Sequence, residues 1–432
     1  MKKFLSLFIV ILTAFSLVFS VGCKTKTDEK PIEPVYYGNL SMIGVNGKKL
    51  CLDGGKGKEI VLRGVNAGGY LVTESWMCAV NTTHKNITQA FMDRFGEQTT
   101  LNLWAYYREN FWADKDFERI ANTGMNVIRL PFTYMTVDPD YHNVPRINGE
   151  KYNFTILDYF IDDANYYGLY VILDMHGAYG SQNGQDHSGE TMSSASEVDF
   201  YSNEQNKAKT TALWKAIAER YKNHPGVAGY DLLNEPGEKA GDIKEYHWNY
   251  FDELYKTIRS TGDKHVIFIE SCWTEKNLPY PETYGWTDNV SYSFHHYTKE
   301  SSGTTDSVQA HYDSWRLRLA GIGSANFNLP ILIGEFTCYG IEKQWQDTLD
   351  LIEGQYGYSW TSWTYKVNSP NGRYLGWGLY MTKAEKVDPW NDSVDQIKQK
   401  WAKIRTSCED TYESTISTQK TLSRFFTEYI GK

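Results

Sequence analysis

The chain has 432 residues, enough for one large domain or two ordinary domains with a sizeable hydrophobic core. Its formal net charge is −9, and no cluster of basic residues interrupts that acidic balance. A nucleic-acid partner is therefore not expected.

The N-terminal residues 1–23 are typical of an export signal. An uncharged run of residues 4–21 follows two lysines and ends just before Cys23. Residues 20–23, Ser-Val-Gly-Cys, resemble a bacterial lipoprotein cleavage box, in which Cys23 would become the lipidated N-terminus. An ordinary secretory signal and an uncleaved membrane anchor are the alternatives. Residues 24–36 are polar and predict a flexible tether between the membrane and the domain. We therefore expect an exported protein. It would be either lipid-anchored, at a bacterial cell surface or periplasmic face, or secreted.

The remaining five cysteines predict neither a metal site nor a full disulfide framework. Their number is odd and no pair has CxxC spacing, which both kinds of framework would favour. They are Cys51, Cys78, Cys272, Cys338 and Cys408. We accordingly expect no metal and no cofactor.

Residues 40–62 predict a short hairpin joined through Asn46-Gly47, a strong hairpin-turn signal. Beyond it, apolar strand-like segments alternate with segments of helical periodicity, which is typical of βα units. One helical pattern places Trp248, Phe251 and Tyr255 on a single stripe. The predicted strands are residues 61–65, 127–131, 170–175, 227–233, 265–269, 290–294, 330–334 and 359–364.

Eight parallel strands are the number that closes a TIM barrel. The last barrel helix is predicted at residues 395–404, and one further amphipathic helix at residues 421–429. The sequence thus predicts an α/β fold, a (β/α)₈ TIM barrel whose floor is covered by the N-terminal hairpin and which carries an extra C-terminal helix. It forms one domain from residue 37 to residue 432.

Polar or aromatic side chains stand at the ends of nearly all the predicted strands. The C-terminal ends of barrel strands form the face on which active sites are built, so we expect these side chains to converge. They are Arg129, His176, Asn234, Glu235, Glu270, His295, Tyr297, Glu335 and Trp363.

Two of these residues, Glu235 and Glu335, predict acetal hydrolysis. That chemistry needs one protonated carboxyl to donate to the leaving oxygen and one ionised carboxyl to attack or stabilise the sugar carbon. Glu235 precedes Pro236 at a strand end, and partial burial would raise its pKa and suit it to proton donation. Arg129 would lower the pKa of Glu335 and keep it anionic, which favours Glu335 as the nucleophile.

The neighbouring residues have supporting roles in this interpretation. Asn234 would bind the sugar 2-hydroxyl, and Trp363 would offer a stacking surface. His295 and Tyr297 are two apart, hence on one face of a strand, and would position Glu335 and the substrate. By contrast, we expect Glu270 to be a structural cap or ion-pair partner, and His187 and His296 to be loop or packing histidines.

Four segments together resemble family 5 of the glycoside hydrolases, the cellulase-type family of retaining (β/α)₈ enzymes. They are Val-Ile-Arg-Leu-Pro-Phe at 127–132, Asn-Glu-Pro at 234–236, Ser-Phe-His-His-Tyr at 293–297 and Ile-Gly-Glu-Phe at 333–336. The resemblance covers residues 40–404. It implies Glu235 as acid/base and Glu335 as nucleophile, and it implies a supporting shell of Arg129, His176, Asn234, His295, Tyr297 and Trp363.

Within that family, residues 173–184 and 362–366 are similar to the fungal-type exo-β-1,3-glucanases, while residues 270–273, the insertion 68–110 and Tyr179 depart from them. The resemblance implies a retaining hydrolase of β-1,3- or β-1,4-glucan that works through a covalent glycosyl-enzyme intermediate. A β-mannanase or a glycolipid-cleaving glycosidase is the alternative within the family.

Two alternative hypotheses lie outside the glycoside hydrolases. A metal-dependent hydrolase would need closely spaced ligands, and His176, His187, His295 and His296 do not have that spacing. A surface glycan-binding protein on an inactive barrel would have lost one glutamate, and both are present. We therefore expect a polysaccharide or oligosaccharide substrate, a monomer, and carboxyl groups about 5–5.5 Å apart, as retaining enzymes have.

Overall fold

The N-terminal hairpin is the first element that the structure describes. The computed structural model describes residues 40–192, 198, 200–237, 245–272, 274–299, 303–411 and 422–431. The predicted export signal, the tether and Cys23 lie outside these residues. Strands β1 (Gly44–Asn46) and β2 (Lys49–Cys51) pair antiparallel, and Gly47 between them has a φ of +59°, which glycine adopts without strain.

The hairpin covers one end of the barrel, as predicted. Ile43 and Leu50 pack in one apolar cluster with residues that begin barrel strands, including Val127, Tyr170 and Val266. This cluster closes the floor of the barrel, so a ligand site is left to the opposite end.

Eight parallel strands form the closed barrel that the sequence predicted. Each strand pairs with its neighbours along the chain, and the last strand pairs with the first. They are β3 (Arg63–Asn66), β4 (Val127–Thr133), β5 (Tyr170–Gly177), β6 (Val227–Asp231), β7 (Val266–Cys272), β8 (Val290–His295), β9 (Ile331–Glu335) and β10 (Ser359–Ser362). All eight predicted strands overlap an observed strand. The fourth ends two residues earlier than expected because the chain leaves the sheet to form the turn at Asn234 and Glu235.

Helices surround the barrel and bury apolar stripes against it. They are α1 (His84–Phe95), α2 (Glu97–Phe111), α3 (Asp114–Asn122), α4 (Thr155–Tyr166), α5 (Glu204–Tyr221), α6 (Glu245–Ser260), α7 (Thr305–Ala325), α8 (Glu342–Leu349), α9 (Val394–Thr406) and α10 (Leu422–Ile430), with single helical turns at Leu52–Gly55 and Pro281–Tyr284. The predicted last barrel helix is α9, and the predicted extra helix is α10. In α6 the predicted stripe of Trp248, Phe251 and Tyr255 is buried. Within the described part of the chain, no helix has the length and apolar character needed to cross a membrane.

Two parts of the fold were not predicted. The insertion at 68–110 contains α1 and most of α2, and Trp104 of α2 stacks on Trp401 of α9 with ring centroids 5.9 Å apart. A small three-stranded sheet, β11 (Lys366–Asn368), β12 (Tyr380–Thr382) and β13 (Glu409–Asp410), follows the barrel. Strands of two or three residues are too short for a periodic signal in the sequence.

Most of the tryptophan content serves the core. Ten of the 14 tryptophans are buried in the described part of the chain, six of them fully, while Trp390 is 53% exposed. The six are Trp104, Trp214, Trp286, Trp315, Trp360 and Trp401. Packing between helices and strands thus accounts for much of an aromatic composition that could equally have served sugar binding.

Candidate active site

The side chains predicted at the strand ends meet at the end of the barrel opposite the hairpin. The structure brings all eight of the predicted active-site residues together, and each contacts at least one other functional side chain of this group or of its immediate surroundings. They are Arg129 (β4), His176 (β5), Asn234 and Glu235 (after β6), His295 (β8), Tyr297 (after β8), Glu335 (β9) and Trp363 (after β10).

The two glutamates face each other at short range. One carboxylate oxygen of Glu235 and one of Glu335 lie within 4.8 Å of each other, and a ring nitrogen of His295 lies within the same distance of both. Glu335 is buried, with 4% of its surface exposed, while the Glu235 side chain is 13% exposed. The pair therefore sits in an enclosed site with Glu235 nearer to solvent.

Each oxygen of Glu335 accepts a hydrogen bond. Arg129 Nη1 donates to Oε1 at 2.8 Å, and the Tyr297 hydroxyl donates to Oε2 at 2.8 Å. Both donors stabilise the ionised carboxylate. They also fix the plane of the carboxyl group, so that its orientation toward a bound molecule is set by the barrel.

Arg129 is shared among several acidic groups. It is fully buried, and besides Glu335 its guanidinium lies 3.0 Å from Asp174 and from Asp231 and 3.8 Å from Glu270. One buried cation thus serves four buried carboxyl groups. Such a cluster is stable only if protons or hydrogen bonds offset the excess negative charge.

The pKa of Glu335 differs from the expectation. Arg129 was expected to lower the pKa of Glu335, but burial raises that pKa, and the opposing effect of Arg129 only partly offsets it. Burial likewise raises the pKa of Asp174 and of Asp231 to about 7 in each case. The contact with Arg129 that the sequence predicted is present, but it lowers the pKa of Glu335 by less than burial raises it.

The backbone at Glu235 is held in an unusual conformation. Its φ is +43°, a left-handed value that is rare for residues other than glycine. Glu270 Oε1 accepts the Glu235 N–H at 3.1 Å, and Asn183 Nδ2 donates to the Glu235 carbonyl at 3.1 Å. Gln182 Nε2 donates to the carbonyl of Asn234 at 2.8 Å. Strained backbone of this kind persists where the surroundings fix it, and it is often found at functional sites.

Neutral histidines surround Glu235. His295 Nδ1 lies 2.9 Å from Glu235 Oε1, and His187 Nε2 lies 3.5 Å from Oε2. Burial lowers the pKa of His187 to about 3 and that of His295 well below its ordinary value. The sequence predicts only a loop or packing role for His187. Its position in a loop, away from any strand end, gave no signal of its proximity to Glu235.

Trp363 forms a wall of the site together with His176. The two rings stack with centroids 5.2 Å apart and planes 6° apart, and the peptide bond between Trp363 and Thr364 is cis. Only 3% of Trp363 is exposed. His176 Nδ1 lies 2.6 Å from Asp174 Oδ2, and burial lowers the pKa of His176 to about 3.

Two acidic residues near the site were missed by sequence reasoning. Glu74 is 5% exposed; Trp76 Nε1 donates to its Oε2 at 2.7 Å, while its Oε1 has no partner among the residues described. Burial, with smaller contributions from the charges of Asp186 and Glu335, raises the pKa of Glu74 to about 8. Asp186 Oδ2 accepts two hydrogen bonds from Ser75 at 2.8 Å, and its Oδ1 likewise lacks a partner in the described part of the protein.

Partly exposed aromatic rings line the same side of the site. Trp76 packs edge-to-face against Trp377 at 5.0 Å and against Tyr374 at 5.2 Å, and Trp377 contacts Tyr297 at 5.6 Å. Flat rings with polar edges suit the apolar faces of sugars. Glu74 and Asp186 lie in the loops after β3 and β5, where no strand-end pattern could have indicated them.

The two glutamates could also be viewed as part of a metal site. Among the described residues, Glu235, His295 and Glu335 form the group whose ligand atoms are close enough to hold an ion. However, both oxygens of Glu335 already accept hydrogen bonds, and the charge of Arg129 at 2.8 Å would oppose a bound cation. The geometry therefore favours a carboxyl pair over a metal centre.

His296 does not join a histidine cluster. Its Nε2 lies 3.0 Å from Ser314 Oγ of α7, and its ring packs edge-to-face on Trp315. It thus faces the surrounding helices while His295 faces the barrel interior, as the alternation along a strand predicted.

Comparisons with known proteins place the chain in a family. Residues 80–369 match the family model described as Cellulase (glycosyl hydrolase family 5). A β-xylosidase of Phanerodontia chrysosporium is 27% identical over 260 residues, which cover 60% of this chain and 52% of that protein. A probable glucan 1,3-β-glucosidase A of Neosartorya fischeri is 32% identical over 218 residues, which cover 48% of this chain and 49% of that protein. The chain thus spans about half the length of these relatives.

Solved structures share the fold. An endogalactoceramidase structure matches with a TM-score of 0.55 and 18% identity, covering 84% of this chain and 85% of that one. A rutinosidase from Aspergillus niger matches with a TM-score of 0.53 and 16% identity, covering 79% of this chain and 98% of that one. Because the family model matches well over half of the chain, and because the barrel and its glutamate pair agree with the motifs, the chain belongs to the cellulase family, glycosyl hydrolase family 5.

Proposed function

We propose that this protein is a β-glucan hydrolase that retains anomeric configuration, with Glu335 as nucleophile and Glu235 as acid/base. The observation that carries the proposal is the separation of the two carboxylates, whose oxygens lie within 4.8 Å of each other. Retaining glycosidases need about 5–5.5 Å between the two carboxyl groups, whereas inverting enzymes need about 6.5–9.5 Å to admit a water. The short separation supports the retaining class.

The contacts of each glutamate support its separate role. Arg129 and Tyr297 both donate hydrogen bonds to Glu335, and two donors favour the anion that must attack the sugar. Glu235 lies beside the neutral rings of His187 and His295, and the nearer ring, that of His295, can hydrogen-bond the Glu235 carboxyl group whether or not that group holds its proton. Glu235 is also nearer to solvent, where a leaving group departs and a water enters.

The reaction then proceeds in two displacements. In the first, Glu235 donates its proton to the glycosidic oxygen while Glu335 attacks the anomeric carbon, and the leaving alcohol departs from a glycosyl ester on Glu335. In the second, Glu235 takes a proton from water, which attacks the same carbon and releases Glu335. Two inversions restore the β configuration.

Asn234 is suited to bind the sugar 2-hydroxyl. Its Oδ1 accepts from Arg129 Nη2 at 2.9 Å, while its Nδ2 has no hydrogen-bond partner within the described ranges. A buried donor without a partner is costly unless a ligand satisfies it. A hydrogen bond at this hydroxyl strengthens as the transition state forms.

We further propose exo attack, with terminal glucose as the preferred unit and β-1,3-glucan as the preferred polymer. The burial of Glu335 and Trp363 supports a pocket closed at one end. Glu74 and Asp186 would supply acceptors for hydroxyls of a terminal sugar. The relatives described above are a probable glucan 1,3-β-glucosidase A and a β-xylosidase, and these names favour removal of single β-linked sugars.

Product analysis tests this proposal. The domain from residue 37 onward is incubated with laminarin, mixed-linkage β-glucan, carboxymethylcellulose and mannan, and the first-formed anomer is followed by proton NMR. We expect glucose alone from laminarin, released as the β-anomer. The α-anomer would refute retention, and a ladder of oligomers from a β-1,4-linked or mixed-linkage polymer would refute exo attack. Release of mannose would move the specificity to the mannanase alternative.

We also propose that the domain is carried to the cell surface by a lipid on Cys23, and that residues 24–36 act as its tether. The support is the lipobox-like order of residues 20–23. Bacterial cells that express the full chain are labelled with palmitate. We expect label and membrane association in the native chain, and loss of both in Cys23→Ala. Label that persists in this variant would exclude Cys23, and size-exclusion chromatography of the released domain tests the expected monomer.

A further inference from the structure

A third carboxyl group lies directly beneath the acid/base residue. Glu270, near the end of β7, is fully buried. Its Oε1 accepts the N–H of Glu235 at 3.1 Å and lies 3.4 Å from His295 Nε2. Its Oε2 lies 3.8 Å from Arg129 Nη2 and has no hydrogen-bond partner among the residues that the structure describes. Glu270 thus makes both the capping contact and the ion-pair contact that the sequence predicted, and it also faces His295.

His295 connects Glu270 with Glu235 through its two ring nitrogens. Nδ1 lies 2.9 Å from Glu235 Oε1, and Nε2 faces Glu270. A neutral imidazole has one N–H donor and one acceptor nitrogen, and burial keeps His295 neutral by lowering its pKa. Whichever nitrogen carries the hydrogen, the protonation of one glutamate constrains that of the other.

We propose that Glu270 is a positioning residue which, through His295, sets the protonation state of Glu235. The inference rests on the proposed acid/base role of Glu235. In one state Glu235 holds the proton and donates to Nδ1, while Nε2–H faces an ionised Glu270. In the other, the Glu235 proton passes to Nδ1 and the Nε2 proton passes to Glu270. The total number of protons is the same in both states, so no outside donor is needed.

The local geometry permits this exchange. At 3.4 Å the contact between Nε2 and Oε1 is longer than an aligned N–H···O bond, which is about 2.7–3.2 Å. The terminal torsion of a glutamate side chain is broad, so a modest rotation of the Glu270 carboxyl costs little. Gly334 keeps the space beside His295 Nε2 open, because a Cβ there would lie 2.8 Å from Ser293 Oγ and 3.1 Å from His295 Nε2.

The charges around Glu235, His295 and Glu270 favour an extra proton shared by these three side chains. Glu270 faces ionisable groups on four strands, on the turn after β6 and on a loop. They are Arg129 (β4), Asp231 (β6), Glu235, Tyr201, His295 (β8) and Glu335 (β9). Besides Arg129, His295 is influenced by His176, His187 and Arg318. Burial raises the pKa of Glu270 well above its ordinary value, and the nearby carboxylates raise it further against the opposing charge of Arg129.

Glu270→Gln separates this role from a packing role. Glutamine keeps an oxygen that can accept the Glu235 N–H, but it cannot exchange a proton with His295. In the native protein, loss of the shared proton would leave two facing carboxylates, and glutamine at position 270 removes that repulsion, so we expect the pKa of Glu235 to fall. On phenyl β-glucoside, whose leaving group needs a proton, the alkaline limb of the kcat/KM profile should shift down by about one pH unit. With 2,4-dinitrophenyl β-glucoside the shift should vanish, because that leaving group departs without acid.

Ser293→Ala is the matched control. Ser293 lies beside Glu270 in the register of β7 and β8, and its hydroxyl is buried without a partner in the described ranges. The change alters packing and polarity at the same depth without removing a charge. We expect its alkaline limb to coincide with that of the native enzyme.

Two results would overturn the inference. One is a pH profile of kcat/KM for Glu270→Gln that superimposes on the native profile. The other is an equal loss of kcat/KM on both glucosides without a shift of the alkaline limb, which would mean that Glu270 has only a structural role. If Glu270→Gln does not fold, carboxyl ¹³C NMR of the native protein and of Glu235→Gln replaces it. A second carboxyl titration should be coupled to that of Glu235 and move to lower pH in Glu235→Gln, and an unaffected titration would refute coupling.

The failure of this inference can be distinguished from failure of the proposed function. If Glu235→Gln loses activity on phenyl β-glucoside while the Glu270→Gln profile is unchanged, only the coupling is wrong. If Glu235→Gln retains full activity on that substrate, the acid/base assignment itself is wrong.

Discussion

Glu235→Gln should remove proton donation while leaving the fold in place. Glutamine has the same shape as glutamate, and the Glu235 side chain is already 13% exposed. Its neighbours His187 and His295 can both form hydrogen bonds with an amide. We therefore expect the thermal midpoint of Glu235→Gln to stay within a few degrees of the native value.

The size of the catalytic loss follows from what the proton contributes. General acid catalysis is worth about 10²–10⁴-fold, which corresponds to roughly 3–5 kcal/mol of barrier. We expect kcat/KM on phenyl β-glucoside to fall by about that factor. On 2,4-dinitrophenyl β-glucoside it should fall by less than about tenfold, because the first displacement then needs little proton donation.

The second displacement provides an independent readout. Without Glu235 no group takes the proton from the attacking water, so the glycosyl ester on Glu335 should accumulate. Stopped-flow measurements should show a burst of dinitrophenolate, and intact-protein mass spectrometry should show one added glucosyl unit. Azide needs no general base, and it should restore turnover and yield β-glucosyl azide.

Glu335→Gln is the matched control, because it alters the facing carboxyl by the same chemical change. It should give neither a burst nor an adduct. The reasoning fails if Glu235→Gln loses activity equally with both leaving groups. It also fails if azide yields the α-glucosyl product, which would mean a single displacement.

Four further outcomes are expected. Glu335→Gln should lower turnover by about 10⁴-fold or more on both glucosides, because no carboxylate remains to attack the sugar carbon. Glu74→Gln and Asp186→Asn should each raise KM for laminarin by about tenfold, the value of one lost hydrogen bond to substrate; unchanged binding in isothermal titration would place the terminal sugar elsewhere. The pKa of Glu74 in the folded protein is raised from 4.5 to about 8. Glu74 therefore contributes stability that is full below pH 4.5 and is lost as pH rises toward 8. The decline of the thermal midpoint between these two pH values should be shallower in Glu74→Gln. Activity should be unaffected by EDTA, and its loss with recovery on adding a divalent metal would revive the metal-site interpretation of Glu235, His295 and Glu335.

The barrel and the positions of its two central glutamates could be predicted from the sequence because the relevant signals are local. Each barrel strand is a short apolar run between helical segments, and a side chain at the end of such a run is carried to the active-site face whatever the details of packing. Glu335 and Arg129 are examples: their meeting at 2.8 Å follows from the strands on which they lie.

Residues in loops depended on the tertiary structure. Glu74, Asp186 and His187 follow no strand pattern, and only the folded paths of the loops after β3 and β5 bring them to the site. Helices α1 and α2 and the small sheet after the barrel also could not be predicted from the sequence. Their segments are short or inserted, so they do not show the alternating strand and helix pattern of the barrel.

Electrostatics also required the tertiary structure. The sequence by itself determined that a cation and a carboxylate would meet, and so led us to expect a lowered pKa at Glu335. The direction was decided by burial, with a smaller contribution from the nearby charge of Asp174. A pKa depends on every charge within several ångströms and on the water excluded around it, and those quantities exist only once distant strands have been brought together.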